Sequence, residues 1–178
     1  MQFSKIKKRI VPLLATSLDG RLNIYASVHR KFHDQPGRVW ITFDKQTFFI
    51  AEDLVYSQNE HLKYEEKKSI LPKRPSLFTI DIFQSDWYLQ QKKLYEEIVQ
   101  ELSHDDMYSS YIVQNALIEY PNLTIEQAMV HNNPFIRGFA FFDRRFGKRK
   151  LQVTQQVDTQ FEKACYEIRM IAEGLKMR

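Results

Sequence analysis

The chain has 178 residues, 43% of them hydrophobic and 27% charged, with a formal net charge of +4. This is long enough for one ordinary domain with its own core, and the balance excludes a disordered or fibrous polypeptide. No apolar run approaches the ~18 residues a membrane-crossing helix requires, and the single cysteine, Cys165, excludes an internal disulfide and suits a reducing, cytoplasmic setting.

Charge is segregated along the chain. Residues 1–40 carry net +6, residues 41–136 net −7, residues 137–150 net +5, and residues 151–178 are neutral. Two arrangements follow. The basic ends fold against the acidic middle, or they form one cationic face that meets an anionic partner.

Ser4 is placed to cap a helix starting at Lys5, with Phe3, Ile6, Ile10, Leu13 and Leu14 at helical spacing and Lys5, Lys7, Lys8 and Arg9 mostly off that stripe. Pro12 predicts a kink or a split. The apolar piece behind the basic start is short and holds Pro12, so it reads as helix and not as a signal peptide. After the Asp19-Gly20 turn the period changes to two. Leu22, Ile24, Ala26, Val28 and Phe32 point one way, and Tyr25, Ser27, His29 and His33 the other. Asp34-Gln35-Pro36-Gly37 is a turn. Arg38 to Phe43 is a second strand, with Val39, Ile41 and Phe43 inward and Arg38 and Trp40 outward. A tight turn at Asp44-Lys45 leads to a third strand over 46–51. The prediction is an antiparallel three-strand meander.

Residues 53–76 are polar, with a short helix over Asp53–Lys67 and a Pro-flanked basic connection after it. Leu77 to Phe83 reads as a fourth strand or as the lead-in to a helix. From Ser85 a helical stripe runs through Trp87, Leu89, Leu94, Tyr95, Ile98 and Leu102. A break at Ser103–Asp106 precedes a helix over about 107–119, with Tyr108, Tyr111, Ile112 and Ala116 on its stripe and Pro121 at its end. Thr124 and Gln127 form a capping box. Asn133 is a cap and Pro134 a first-turn proline for a helix over about 134–146 that buries Phe135, Ile136, Phe139, Ala140, Phe142 and Phe146. Gly147 should terminate it. Lys148, Arg149 and Lys150 would then sit at the negative end of its dipole, and Asp143 would pair with Arg137 or Arg144. The last helix starts at Asp158 or Thr159, with Phe161, Cys165, Ile168, Ile171 and Leu175 on its stripe. Cys165 reads as a small buried hydrophobe. The fold class is α+β: an N-terminal helix, a meander (1–52), a polar connection (53–76) and a mostly helical remainder (77–178), in one domain.

Several segments together resemble a family of small uncharacterised bacterial proteins. They are Phe3-Ser4-Lys5-x-Lys7-Lys8, Ser17-Leu18-x-Gly20-Arg21-x-x-Ile24 and His33-Asp34-x-x-Gly37-Arg38-x-Trp40-Ile41. The fourth is Asn133-Pro134-x-Ile136-Arg137-x-x-Ala140-x-x-Asp143-Arg144-Arg145-x-Gly147-Lys148-Arg149-x-Leu151. The resemblance implies a bacterial cytoplasmic protein and assigns no activity and no catalytic residue. Asp44-Lys45 stands where that family is expected to carry Asp-Gly, which leaves the turn type open.

The chemistry-bearing motifs are few. The sequence holds no Gly-rich phosphate loop, zinc-type Cys pair, metalloprotease helix or serine elbow, and no cofactor or metal is expected. The leading expectation is a non-enzymatic binding module for nucleic acid or an acidic protein. It would use Arg137, Arg144, Arg145, Lys148, Arg149 and Lys150, with His29, His33, Arg38 and Trp40 on the meander; Trp40 and Tyr25 are able to stack a ring. Two alternatives stay open: a protein-interaction or partner-neutralising protein, and a hydrolase or transferase built on His29, His33, Asp34 and Arg38.

Overall fold

The structure is a computed structural model that describes residues 2–27, 37–75, 82–154 and 157–176. Helix α1 spans Phe3–Ile10 and buries Ile6 and Ile10. It begins two residues before the predicted start, and Gln2, not Ser4, occupies the cap position. Pro12 converts the next turn to a 3-10 helix over Val11–Leu13, because it removes an α-type donor.

Strands β1 (Leu22–Ser27), β2 (Arg38–Phe43) and β3 (Gln46–Glu52) form the predicted antiparallel meander in the order β1-β2-β3. Asp44 and Lys45 join β2 to β3 with φ of 48° and 69°. Two positive φ values are the signature of a type I′ turn, the one whose twist matches a hairpin. Arg21 holds this turn by a two-pronged contact to Asp44, 2.9 and 2.7 Å. The β2–β3 register shifts at Ile41/Thr42. An extra residue at such a shift lets neighbours leave strict alternation. Phe48 and Phe49 both reach the helices, Phe48 against Phe142 and Phe161, Phe49 against Tyr108, Phe135 and Phe161.

Helix α2 (Asp53–Lys67) follows directly and has the predicted limits. Asp53 accepts from Gly37 N at 2.7 Å, Ser110 N at 2.6 Å and Ser110 Oγ at 2.9 Å, so one carboxylate ties the sheet to two helix starts. Helix α3 (Asp86–His104) is capped by Ser85 and packs on α2 through Tyr56, Leu94, Ile98 and Leu102, a second and smaller core. The fourth-strand reading of 77–83 falls mostly outside the described residues; Ile82–Gln84 is a 3-10 turn. Helix α4 (Ser110–Glu119) starts later than predicted because Ser109 supplies the cap. Its buried residues are Ser110, Val113, Ala116 and Leu117, while Tyr111 is 70% exposed. Of the predicted stripe, Tyr108 and Ala116 are buried and Ile112 partly so, while Tyr111 turns outward and Val113 and Leu117 take core positions.

Helix α5 (Ile125–Met129) carries the Thr124/Gln127 capping box. Helix α6 (Pro134–Ala140) opens with Asn133 Oδ1 accepting from Phe135 N. Helix α7 spans Lys148–Val153, and α8 spans Gln160–Ala172 with Thr159 as cap. Phe135, Phe139, Phe142, Phe146 and Phe161 all lie in the main core. Each such ring contributes about 1.5–3 kcal/mol by leaving water. Cys165 is fully buried on the inner face of α8. No helix among the described residues is long and apolar enough to cross a membrane.

Candidate anion-binding face

The helix predicted over 134–146 is shorter. It ends at Ala140 because the chain leaves it to pair with the N-terminal segment. Leu14 and Asp143 form an antiparallel bridge. Ala15 N donates to Phe142 O, and Arg144 N donates to Leu13 O, each at 2.8 Å. Asp143 fixes the departure. It is 1% exposed, and it accepts from Arg145 N at 2.7 Å, from Tyr120 Oη at 2.8 Å and from the Arg145 guanidinium at 2.7 Å. Asp143 therefore pairs with Arg145, not with Arg137 or Arg144. Gly147 does not terminate a helix; it precedes α7, and Lys148, Arg149 and Lys150 form the first turn of α7. That is the positive end of a helix, so no dipole stabilises them there.

The bridge ties the segment that follows α1 to the segment that opens the second basic run. Within 137–150 four of the six cations are neutralised, three by carboxylates distant in sequence and Arg145 by neighbouring Asp143. Arg137 pairs with Glu162 at 2.7 Å and Asp158 at 3.7 Å and donates to the carbonyls of His131 and Asn132. It braces α6 against α8 and the loop before it. Arg145 is spent on Asp143 and on Leu123 O, 2.8 Å; the Asp143 hydrogen bonds raise its pKa. Lys148 pairs with Glu173 at 2.7 Å and Lys150 with Glu126 at 3.1 Å. Arg144 and Arg149 are exposed and have no ion-pair partner among the described residues.

On α1, Lys5 and Lys8 are likewise exposed without an ion-pair partner among the described residues. Arg9 donates to Asn122 Oδ1 at 2.9 Å, beside Leu123, which receives Arg145. On the other flank of α1, Lys7 stands over the ring of Tyr25, 5.2 Å from its centroid. Tyr25 stacks on its cross-strand partner Trp40 at 5.3 Å and 16°. Arg38 pairs with Glu52 instead of standing free. His29, His33 and Asp34 lie outside the described residues, so the hydrolase reading has no geometry to stand on. The contacts of Lys7 and Arg9 had a signal in the sequence, since both flank the Ile6/Ile10 stripe. The partners of Lys148 and Arg137 had none.

Two further features have structural roles. A cleft of about 430 Å³ is lined by His131, Asn132, Arg137, Asp158 and Glu162, but its guanidinium is already held by four acceptors. The Cys165 thiol is pushed well up by burial, which removes it as a nucleophile. No cluster of three or more metal-ligating groups occurs among the described residues.

The chain belongs to the SF0329 protein family, whose model matches residues 2–170. No curated protein and no solved structure matches the chain.

Proposed function

We propose that this member of the SF0329 family binds an anionic biopolymer along the face shared by α1 and residues 144–149. The observation that supports the reading is the Leu14–Asp143 bridge, which joins the backbone of exposed Arg144 to Leu13, in the 3-10 turn that directly follows the basic helix. Lys5, Lys8 and Arg9 on one side and Arg144 and Arg149 on the other hold their charge without a carboxylate partner among the described residues. Cations that the fold has not neutralised are the ones able to exchange counterions for phosphates. The remaining members of the basic run are engaged in ion pairs, so the surface is smaller than the composition suggests.

The test is fluorescence anisotropy with labelled RNA and DNA oligonucleotides at two salt concentrations. Five contacts predict a log–log salt slope of about −3.5 to −4.5. The Arg144→Glu/Arg149→Glu variant should fold normally and lose most of the binding. Absence of binding at low salt would overturn the reading and direct the search to a protein partner.

A further inference from the structure

The cationic face does not end at α1. It continues onto the outer surface of the meander, where Tyr25 and Ile50 are exposed and Trp40 is half-buried between them. The inner surface of the sheet, Ile24, Val39, Ile41 and Ala51, is buried in the main core. On the outer surface Tyr25, Trp40 and Ile50 stand in register across the three strands. Tyr25 is 40% exposed and Ile50 52% exposed.

The row is a small, partly exposed aromatic and aliphatic strip on which a flat ring can rest. Its charge neighbourhood selects the occupant. Lys7 covers one end of the row from α1, and the next residues along the helix, Lys8 and Arg9, carry the positive charge over the helix to Asn122 and Leu123. There Arg145 is anchored, and Arg144 lies one residue away. The order is thus rings, then the cations of α1, then Arg145 at Leu123, across a helix ~10 Å wide. A partner that fits it must offer flat apolar groups next to regularly spaced negative charges.

We infer that the partner is a single-stranded nucleic acid, a base taking the place of the Lys7 ammonium over the outer face of the Tyr25 ring and its phosphates crossing α1 towards Arg144. This rests on the function proposed above and narrows it. A duplex hides its base faces and would use the cations alone. An unpaired strand exposes them, and stacking on aromatic side chains is sequence-tolerant and worth about 1–3 kcal/mol per base. An acidic polypeptide supplies charge but no array of flat rings.

The experiment compares three probes on the full-length protein under one buffer: a single-stranded 12-mer, its duplex, and inorganic polyphosphate of comparable length. The protein carries Trp87→Phe, so that Trp40 is the remaining indole. The expected result is at least tenfold tighter binding of the single strand, with quenching of Trp40. Tyr25→Ala should weaken the single strand by about 5- to 100-fold, leave polyphosphate unaffected, and preserve the salt slope. Because Trp40→Ala removes the cross-strand packing between Tyr25 and Ile50, Trp40→Leu serves as the second variant and should show the same selectivity loss. Equal binding of all three probes, or single-strand binding unchanged in Tyr25→Ala and Trp40→Leu, would overturn the inference and leave the cationic face standing. Failure of all three probes to bind would overturn both.

Discussion

Gly138 of α6 meets Phe161 of α8 at a distance that leaves no room for a side chain. A Cβ on Gly138 would lie 2.7 and 2.8 Å from two ring carbons of Phe161 and 3.3 Å from the backbone Cα of Glu162. Phe161 cannot retreat, because it is stacked on Phe135 at 4.9 Å and packed on Phe49 at 4.6 Å.

Gly138→Ala should therefore destabilise the protein although it adds a single methyl group. Overpacking of a filled core costs about 1–3 kcal/mol, a fall in Tm of roughly 2–10 °C for a chain of this size. A thermal melt checks it, and an unchanged Tm would show that α6 and α8 have room to separate.

Lys45 offers the opposite case. Its φ of 69° is one that side chains adopt at a cost. Lys45→Gly should relieve that cost and stabilise the protein by about 0.5–1 kcal/mol, with Arg21 still holding Asp44. Urea unfolding with an unchanged m-value is the check.

Arg137 and Arg144 should separate cleanly by stability. Arg137→Ala leaves Glu162, which is 3% exposed, without its counter-ion, and loss of one partner of a buried pair costs about 3–5 kcal/mol. Arg144→Ala, on an exposed side chain, should change stability by no more than about 0.5 kcal/mol. Equal losses in the two variants would contradict the division into bracing and free cations.

Glu173 ties stability to pH. Burial pushes its pKa up, but Lys148, Ser17 and Arg169 together outweigh burial and hold it below the ordinary glutamate value of 4.5. The folded state therefore binds this proton less readily than the unfolded chain. Its contribution is complete above about pH 5 and is lost as the pH falls through the depressed folded value. Wild-type and Glu173→Gln melts measured from pH 7 to pH 3 should converge on the acid side. Parallel curves would show that Glu173 does not carry the effect.

Local rules located the parts of this fold that local chemistry determines. The Thr124/Gln127 box, the Asn133-Pro134 start, the strand pattern and the helix limits at Asp53 and Lys67 all depend on residues within a few positions of each other. The end of α6 does not. Phe141, Phe142 and Phe146 keep a core-facing pattern through a segment that is no longer helical, and what bends it away is pairing with Leu14. A helical period has no way to register that contact. The cationic patch was legible as composition, but its neutralisation was not, because Glu162, Glu173 and Glu126 reach Arg137, Lys148 and Lys150 through the tertiary structure. The open row of Tyr25 and Trp40 was visible as an outward face; whether helices covered it depended on where α1 came to rest.

The bridge between Leu14 and Asp143 joins segments separated by most of the chain, and this has a consequence for synthesis. A ribosome exposes α1 about 130 residues before residues 142–144. Until then the basic helix has neither its neighbouring arginines nor the strand-like contact that fixes its position. The complete surface thus appears only on a finished, folded chain. A fragment lacking the last third would carry the lysines of α1 but not the site.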